Sequence, residues 1–321
     1  MNTTSTVPAT VSLGNNGPQV TPLGVGTWSW GDSLFWDYGK GYDQNQVREA
    51  FQASVEANIT LFDTAEVYGL GESERLLGRF AQENNTDVAI ATKYFPLPWR
   101  VSRQSVREAL TKSLERLQVD SIPLYQVHTP FSFFMNQETL MDALAEEVKQ
   151  GRIEAVGVSN YSASQMREAH EHLQKRGVPL ASNQVQYSLL NRKIESNGIW
   201  QTAQELGVKI IAYSPLAQGL LTGKYTGQEK PTGARSLDPR FKPSGVNKIS
   251  PVINALQKLG EKYQKTPAQV ALNWLMTQGA IPIPGAKNAK QAQQNAGALG
   301  WQLDSQDSQD LDRLSQPWLK G

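Results

Sequence analysis

The stretch FDTAEVYG at residues 62–69 decides how the fold of this chain is interpreted, because an apolar run ends there in an acid and opens into a polar turn. Such a run is typical of a buried β-strand, and the residues after it are typical of a loop. Asp63 ends the strand, and Tyr68 lies in the loop. Acids and tyrosines are common at strand ends, so the stretch gains a functional meaning only if other strands end in matching side chains.

Strands alternate with helices on both sides of this stretch. The helical patterns begin at capping residues such as Asp43, Ser102 and Thr266, which is followed by Pro267. This alternation implies parallel strands joined by helices, and eight strands imply a (β/α)8 TIM barrel in the α/β class. The eight candidate strands are PLGVG, ITLFD, VAIATK, PLYQVH, IEAVGVS, ASNQVQY, VKIIAYS and AIPIPG. We predict a polar N-terminal tail at residues 1–20 and one barrel domain at residues 21–321.

The composition favours a small-molecule partner. In 321 residues, 31 lysines and arginines nearly balance 30 acids, so no overall basic charge attracts nucleic acid or an anionic membrane. No run approaches the roughly 20 apolar residues that span a bilayer. The absence of cysteine excludes disulfides, thiolate nucleophiles and cysteine-ligated zinc. We therefore expect a cytoplasmic monomer that uses no metal and binds neither nucleic acid nor membrane.

The ends of the predicted strands carry side chains that suit chemistry. In a TIM barrel the C-terminal ends of all strands converge on one face, where active sites lie. The residues at or just after these ends are Trp28, Asp63 with Tyr68, Lys93, His128, Ser159 with Asn160, Gln184 and Tyr213. Turn formation explains an acid, a serine and an asparagine there, but it does not explain a lysine, a histidine and two tyrosines.

Four of these residues suit proton delivery to a carbonyl oxygen. The phenol of Tyr68 has an ordinary pKa near 10, and a neighbouring Lys93 ammonium would stabilise its phenolate. Asp63 would hold that lysine in place and charged. His128 could donate a hydrogen bond to the carbonyl oxygen that receives the proton.

The hydride must then come from a nicotinamide, because no protein group supplies one. Ser159, Asn160 and Gln184 can satisfy a carboxamide, and Tyr213 offers a ring for stacking. The nearest match to a Rossmann fingerprint, GLGESE at residues 69–74, lacks the third glycine.

A glycine- and proline-rich segment between residues 213 and 250, after the seventh strand, interrupts the alternation of strands and helices. Long loops in a compact domain are commonly functional. Lys224, Arg235 and Arg240 suggest a strap over an anionic cofactor, and a solvated loop with scattered charges is the alternative. The aromatic-rich loop after the first strand could form either a wall of the substrate pocket or a cluster packed on the rim.

The motifs GVGTW, FDTAEVYG, ATK, QVH, GVSN, NQVQYS and AYSPLAQGLLTGKY resemble those of the aldo-keto reductases, a family of NADPH-dependent (β/α)8 carbonyl reductases. The resemblance covers residues from about 22 to 295. It implies Tyr68 as general acid, Lys93 and Asp63 as its tuning pair, and His128 as the residue that orients the carbonyl. It also implies cofactor contacts by Ser159, Asn160, Gln184 and Tyr213, and by Ser214, Pro215, Leu216, Gln218, Gly219, Leu221 and Lys224 of the strap.

The chain departs from the family pattern near its C-terminus, in PGAKNAKQAQQN at residues 284–295. Many members have a Lys-Ser pair and an arginine for the 2′-phosphate of NADPH and a Glu-Asn pair for adenine. Here Lys287 is the best candidate for the phosphate and Lys290 the second. The matching cofactor contacts are Lys287, Gln291, Gln294 and Asn295, and the candidate substrate contacts are Trp28, Trp30 and Thr129, the last standing where many members have a tryptophan.

The leading hypothesis is an NADPH-dependent oxidoreductase that reduces aldehydes, and ketones as a second class, with Tyr68 as the general acid. The alternative is an NADPH-binding regulatory or redox-sensing subunit with vestigial activity. A barrel lyase that uses Lys93 as a Schiff base explains Tyr213 and the long loop poorly. Methylglyoxal, sugar-derived aldehydes, lipid aldehydes and pyridoxal all fit such a site.

Overall fold

A two-stranded antiparallel hairpin precedes eight parallel strands in the computed structural model. The structure describes residues 10–15, 17–33, 35–130, 135–225 and 238–320, and the statements below refer to these residues. The hairpin consists of β1 (Val11–Ser12) and β2 (Gln19–Val20). The parallel strands are β3 (Gly24–Gly26), β4 (Leu61–Asp63), β5 (Ala89–Tyr94), β6 (Ile122–Val127), β7 (Ile153–Ser159), β8 (Leu180–Gln186), β9 (Lys209–Tyr213) and β10 (Ile281–Pro282).

The parallel strands form a nearly closed barrel. Each strand pairs with its neighbour in sequence, from β3 to β10. The two edges meet where Gly26 forms a parallel bridge with Gly285 and its N–H donates to the carbonyl of Pro284 at 3.1 Å. A Cβ on Gly26 would lie 2.8 Å from the carbonyl oxygen of Ile283, so the close approach of the edges requires glycine. The predicted TIM barrel is confirmed.

Helices alternate with the strands and cover the outside of the barrel. None of the helices in the described residues is long and apolar enough to cross a membrane. Their bounds are α1 (Gln44–Glu56), α2 (Glu72–Glu83), α3 (Arg103–Leu117), α4 (Gln137–Lys149), α5 (Ala163–Gln174), α6 (Ile199–Leu206), α7 (Pro243–Tyr263), α8 (Pro267–Thr277), α9 (Ala289–Ala296) and α10 (Ser305–Leu314).

The helix starts that the sequence predicted are confirmed. Asp43 caps α1 by accepting from the N–H groups of Asn45 and Gln46. Ser102 and Thr266 cap α3 and α8 in the same way, each within a capping box. Each cap contributes about 1 kcal/mol to helix stability.

The predicted polar tail at residues 1–20 is wrong for its second half. Leu13 and Val20, on and beside the hairpin, are fully buried. They pack with Leu61, Leu124 and Ile281, which project inside the barrel. Strands of two residues are too short to produce a recognisable alternation, so the sequence pattern missed them. Residues 1–9 lie outside the described residues.

The predicted loop at residues 214–250 is shorter than expected, because α7 begins at Pro243. Proline is tolerated at a helix start, but Pro251 lies inside α7 and leaves the carbonyl of Asn247 without its helical N–H. The hydroxyl of Ser250 donates to that carbonyl at 2.8 Å and replaces the missing bond. Arg240 is paired with Asp238 at 2.6 Å, and Arg235 lies outside the described residues.

Candidate active site

The centre of the site is a buried ion pair between Lys93 of β5 and Asp63 at the end of β4. The ammonium of Lys93 lies 2.6 Å from Oδ2 of Asp63 and donates to the carbonyl of Thr64 at 2.7 Å. The Lys93 side chain is fully buried and that of Asp63 is 3% exposed. Burial lowers the pKa of Lys93, and the carboxylate of Asp63 opposes this by favouring the charged form. The position of the ammonium is therefore fixed by two acceptors.

The second carboxylate oxygen of Asp63 is held by two glutamines. Gln184 donates to Oδ1 at 2.6 Å, and Gln126 donates to the same atom at 3.2 Å. Gln184 also donates to Oε1 of Gln126 at 3.3 Å. These bonds offset the cost of burying the carboxylate. Gln126 was not among the predicted site residues, although it lies two residues before His128 and strand alternation places such a pair on one side of a sheet.

Tyr68 lies beside this ion pair, in the loop between β4 and α2. The ammonium of Lys93 is 5.0 Å from the centre of the Tyr68 ring. Burial raises the pKa of Tyr68 well above 10, and the charge of Asp63 raises it further. Tyr68 is therefore a protonated phenol at neutral pH, poised next to a cation that favours the phenolate.

His128 follows β6 and faces Tyr68. The two rings meet edge to face with their centres 5.7 Å apart. Burial, together with the charge of Lys93, lowers the pKa of His128 to about 3. The imidazole is therefore neutral at physiological pH, so one ring nitrogen can donate a hydrogen bond. The four residues predicted as catalytic thus lie together in the structure.

Four residues predicted to contact the cofactor form a chain of hydrogen bonds across neighbouring strand ends. The hydroxyl of Ser159 donates to the carbonyl of Gln184 at 2.9 Å. Asn160, which has a left-handed backbone with φ of 61°, donates to the Ser159 hydroxyl at 3.1 Å and to the carbonyl of His128 at 3.3 Å. The hydroxyl of Tyr213 donates to Oδ1 of Asn160 at 3.0 Å. Asn160 is exposed, whereas the amide of Gln184 points to Asp63.

The segment that follows β9 has an unusual backbone. Ser214, Ala217 and Gln218 have φ values of 50°, 48° and 58°, and Gly219 has 100°. Left-handed residues other than glycine cost energy and cluster at ligand sites, where consecutive amides can form a concave anion cradle. Of the predicted contacts in this segment, Pro215 and Leu221 are buried, Leu216, Gln218 and Gly219 are half-buried, and Lys224 is exposed.

The side chain of Lys287 points toward the loop after β3. Its ammonium donates to the carbonyl of Trp36 at 3.0 Å and lies 4.2 Å from the centre of the Tyr42 ring. Its backbone N–H donates to the side chain of Gln291 at 2.8 Å. Asn295 is buried and donates to the carbonyl of Gly285 at 3.2 Å, while Gln294 and Lys290 are exposed.

Trp28 forms an aromatic wall next to Tyr68. Its ring stacks on Phe35 with centres 4.9 Å apart and meets Trp36 edge to face at 5.4 Å. Its centre lies 6.1 Å from that of Tyr68, and 38% of the residue is exposed. Thr129, directly after His128, is half-buried.

Trp30, predicted as a substrate contact, does not belong to this wall. It is fully buried and packs on Phe62 and Phe80 between the barrel and its helices. Its indole N–H donates to the carbonyl of Ala286 at 2.8 Å. The reason is a turn closed by the N–H of Trp30 on the carbonyl of Thr27, which redirects the side chain into the core.

The chain is similar to known proteins over nearly its whole length. The model of the aldo/keto reductase family matches residues 22–316. The chain is 41% identical to the chloroplastic pyridoxal reductase of Arabidopsis thaliana over 305 aligned residues, and the match covers 91% of this chain and 82% of that relative. The structure of a glycerol dehydrogenase from Gluconobacter oxydans has a TM-score of 0.84 and 27% identity, covering 98% of this chain and 97% of that one. An aldo/keto reductase from Klebsiella pneumoniae, solved with NADP and acetate, has a TM-score of 0.73 and 27% identity, covering 95% and 96%.

Proposed function

The chain belongs to the aldo/keto reductase family, and from that premise we propose that it reduces aldehydes to alcohols with NADPH, with Tyr68 as proton donor. One observation carries this proposal: the Tyr68 ring lies 5.0 Å from the ammonium of the buried Lys93–Asp63 pair and meets the ring of His128 edge to face. NADPH, when bound, supplies the hydride to the carbonyl carbon. The solved Klebsiella relative with NADP supports this cofactor.

The residues around Asn160 suit the nicotinamide end of NADPH. Asn160 is polar and exposed at a strand end, and Tyr213 presents a ring next to it. The left-handed segment that begins at Ser214 is suited to hold the pyrophosphate through backbone N–H groups. Lys290 is exposed and would be available to the 2′-phosphate, whereas the ammonium of Lys287 donates to the carbonyl of Trp36.

The proton moves within a fixed set of side chains. His128 donates a hydrogen bond to the carbonyl oxygen and aligns it with the hydroxyl of Tyr68. As negative charge develops on that oxygen, the Tyr68 proton transfers to it and leaves a phenolate. The Lys93 ammonium stabilises this phenolate, and Asp63 keeps the ammonium in position. The alcohol oxygen thus gains its proton from Tyr68, which bulk solvent must reprotonate before the next turnover.

The aromatic wall favours a flat, aromatic aldehyde among the four candidate classes. Trp28 and Phe35 are stacked beside Tyr68, and rings of this kind gain about 0.5–1.5 kcal/mol from contact with another ring beyond the area that they bury. The pyridoxal reductase of Arabidopsis thaliana points to the same class. We therefore propose pyridoxal as the preferred substrate.

Initial rates of NADPH and NADH oxidation with pyridoxal, methylglyoxal, glyceraldehyde and a lipid-derived alkenal test this proposal. We expect the highest kcat/KM with pyridoxal and NADPH, and a Trp28→Ala variant to lose about fivefold in kcat/KM for pyridoxal but little for methylglyoxal, since stacking contributes on the order of 1 kcal/mol. A preference for methylglyoxal would contradict the assigned substrate class. Absence of turnover with every aldehyde, despite NADPH binding, would favour the regulatory alternative.

A further inference from the structure

The orientation of His128 is not set by a hydrogen bond on its inner ring nitrogen. Nδ1 is buried and has no hydrogen-bond partner among the described residues. Functional histidines are commonly oriented by a partner on the second ring nitrogen. The backbone N–H of His128 donates to the carbonyl of Tyr94 at 2.9 Å, but this bond leaves the ring free to turn. Its orientation therefore depends on packing.

Two aromatic rings supply that packing. Tyr68 meets His128 at 5.7 Å with an angle of 88° between the ring planes. Phe95, two residues after Lys93, meets it at 5.4 Å with an angle of 76°. His128 is thus in contact with two rings from the loops that follow β4 and β5, and the position of each loop matters for the imidazole.

A buried ion pair joins these two loops at Phe95. The N–H of Phe95 donates to Oε1 of Glu66 at 2.6 Å, and its carbonyl accepts from Arg100 at 2.8 Å. Arg100 also donates to both carboxylate oxygens of Glu66, with 2.8 Å to Oε2. The side chains of Glu66 and Arg100 are only 7% and 14% exposed. The backbone of Phe95 is therefore held on both sides.

We propose that Glu66 and Arg100 are positioning residues that fix Phe95 against His128 and so keep the imidazole aligned with Tyr68. Glu66 belongs to the stretch FDTAEVYG, two residues before Tyr68, so the pair links the general acid to the histidine through one carboxylate. Neither residue touches the reacting atoms. The proposal rests on the reductase function for its catalytic consequence, but its structural consequence at His128 does not.

The structural consequence is a change in solvation of His128. Among the described residues, the titratable groups that face His128 are Tyr68 and Lys93, and Lys93 is paired with Asp63. Tyr213 donates to Asn160, whose side chain donates to the carbonyl of His128. Burial is the largest cause of its lowered pKa, which is about 3. Releasing Phe95 admits water, so the pKa of His128 should rise toward its ordinary value of about 6.5.

An NMR titration of the histidine rings reads this out directly, because the chain contains only three histidines. Loss of one signal in His128→Gln assigns it. In the wild type we expect the His128 signal to stay constant from about pH 5 to pH 8. In Arg100→Met we expect it to titrate within that range, while kcat falls by about 10- to 100-fold and the Kd for NADPH is retained.

Arg192 offers a matched control. It makes a bidentate pair with Glu195 at 2.8 and 2.6 Å, has a side chain that is 7% exposed, and lies 5.2 Å from the centre of the Trp274 ring. Arg100 likewise lies 5.0 Å from the centre of the Tyr94 ring. Because Arg192 also donates to the carbonyl of Asp312 and to the hydroxyl of Ser315, Arg192→Met should lower the thermal midpoint by at least as much, without moving the His128 signal.

Arg100→Lys serves as a second variant if Arg100→Met fails to fold, because lysine keeps the charge but lacks the fork that meets Glu66 and Phe95 together. We expect an intermediate pKa for His128 and an intermediate kcat. A His128 signal that stays constant in both Arg100 variants would overturn the proposal, whatever their activity. If the wild type reduces no aldehyde, the reductase function fails, while the titration still tests the link between Arg100 and His128.

Discussion

The pKa values of Tyr68 and His128 are shifted in the directions that keep Tyr68 able to donate a proton and His128 neutral. Burial raises the pKa of Tyr68 and lowers that of His128, so both groups are neutral at physiological pH. Lys93 and Asp63 then form a compensated ion pair beneath them. The negative charge that develops on a substrate oxygen would therefore be stabilised by the hydroxyl of Tyr68 and by the nearby ammonium of Lys93.

These shifts determine the pH dependence of reduction. Tyr68 must be protonated, and because its pKa is raised, the active form persists below that pKa and is lost only as pH rises through it. His128 must be neutral, and its pKa of about 3 keeps it so at higher pH. We expect kcat at saturating NADPH to be flat from about pH 5 to pH 8. A pH–rate profile with a step near pH 6.5 that disappears in His128→Gln would contradict this reading.

Variants of the Lys93–Asp63 pair should distinguish its contribution to stability from its contribution to catalysis. Lys93→Met leaves the buried carboxylate without its cation, so we expect a loss of roughly 3–5 kcal/mol in the free energy of unfolding. The double variant with Asp63→Asn removes the stranded charge and should recover part of that stability without recovering kcat. Urea unfolding and steady-state rates on both variants check this. Recovery of kcat in the double variant would show that the ammonium does not act in the reaction.

Elements differ in how far their sequence determines them. Helices α1, α3 and α8 begin at capping residues that can be predicted from the sequence, because a cap is a local hydrogen bond. The hairpin of β1 and β2 cannot be predicted in this way, since its two-residue strands are stabilised by contacts with residues inside the barrel that are far away in the sequence. Pro251 obscured α7 because its missing N–H is replaced by a bond from Ser250 that sequence alone does not reveal.

Leu13 tests whether the hairpin belongs to the folded unit. Its side chain is fully buried with the residues inside the barrel, so Leu13→Ala should lower the free energy of unfolding by about 2–5 kcal/mol through lost burial and a cavity. Val11→Ala, at a half-buried position on the same hairpin, should cost less. If neither Leu13→Ala nor Val11→Ala changed the free energy of unfolding in chemical denaturation, residues 11–20 would be a tail outside the folded unit.

The whole molecule explains why much of the site could be anticipated. A barrel of parallel strands brings all C-terminal strand ends to one face, so strand order alone placed Asp63, Lys93 and His128 near one another. The barrel even joins Asp63 to Gln184, which are 121 residues apart, by a hydrogen bond of 2.6 Å. Loop conformation was beyond the sequence: the turn that buries Trp30 and the contact that holds Lys287 on Trp36 depend on tertiary packing.

The central claim, that this barrel delivers a proton from Tyr68, is tested most directly by Tyr68→Phe. The variant keeps the ring that contacts His128 and removes only the hydroxyl. We expect kcat for pyridoxal reduction to fall by about 10²- to 10⁴-fold, the usual contribution of a general acid, while the Kd for NADPH stays within about twofold of the wild type. A kcat close to that of the wild type, with NADPH binding intact, would contradict the assignment of Tyr68.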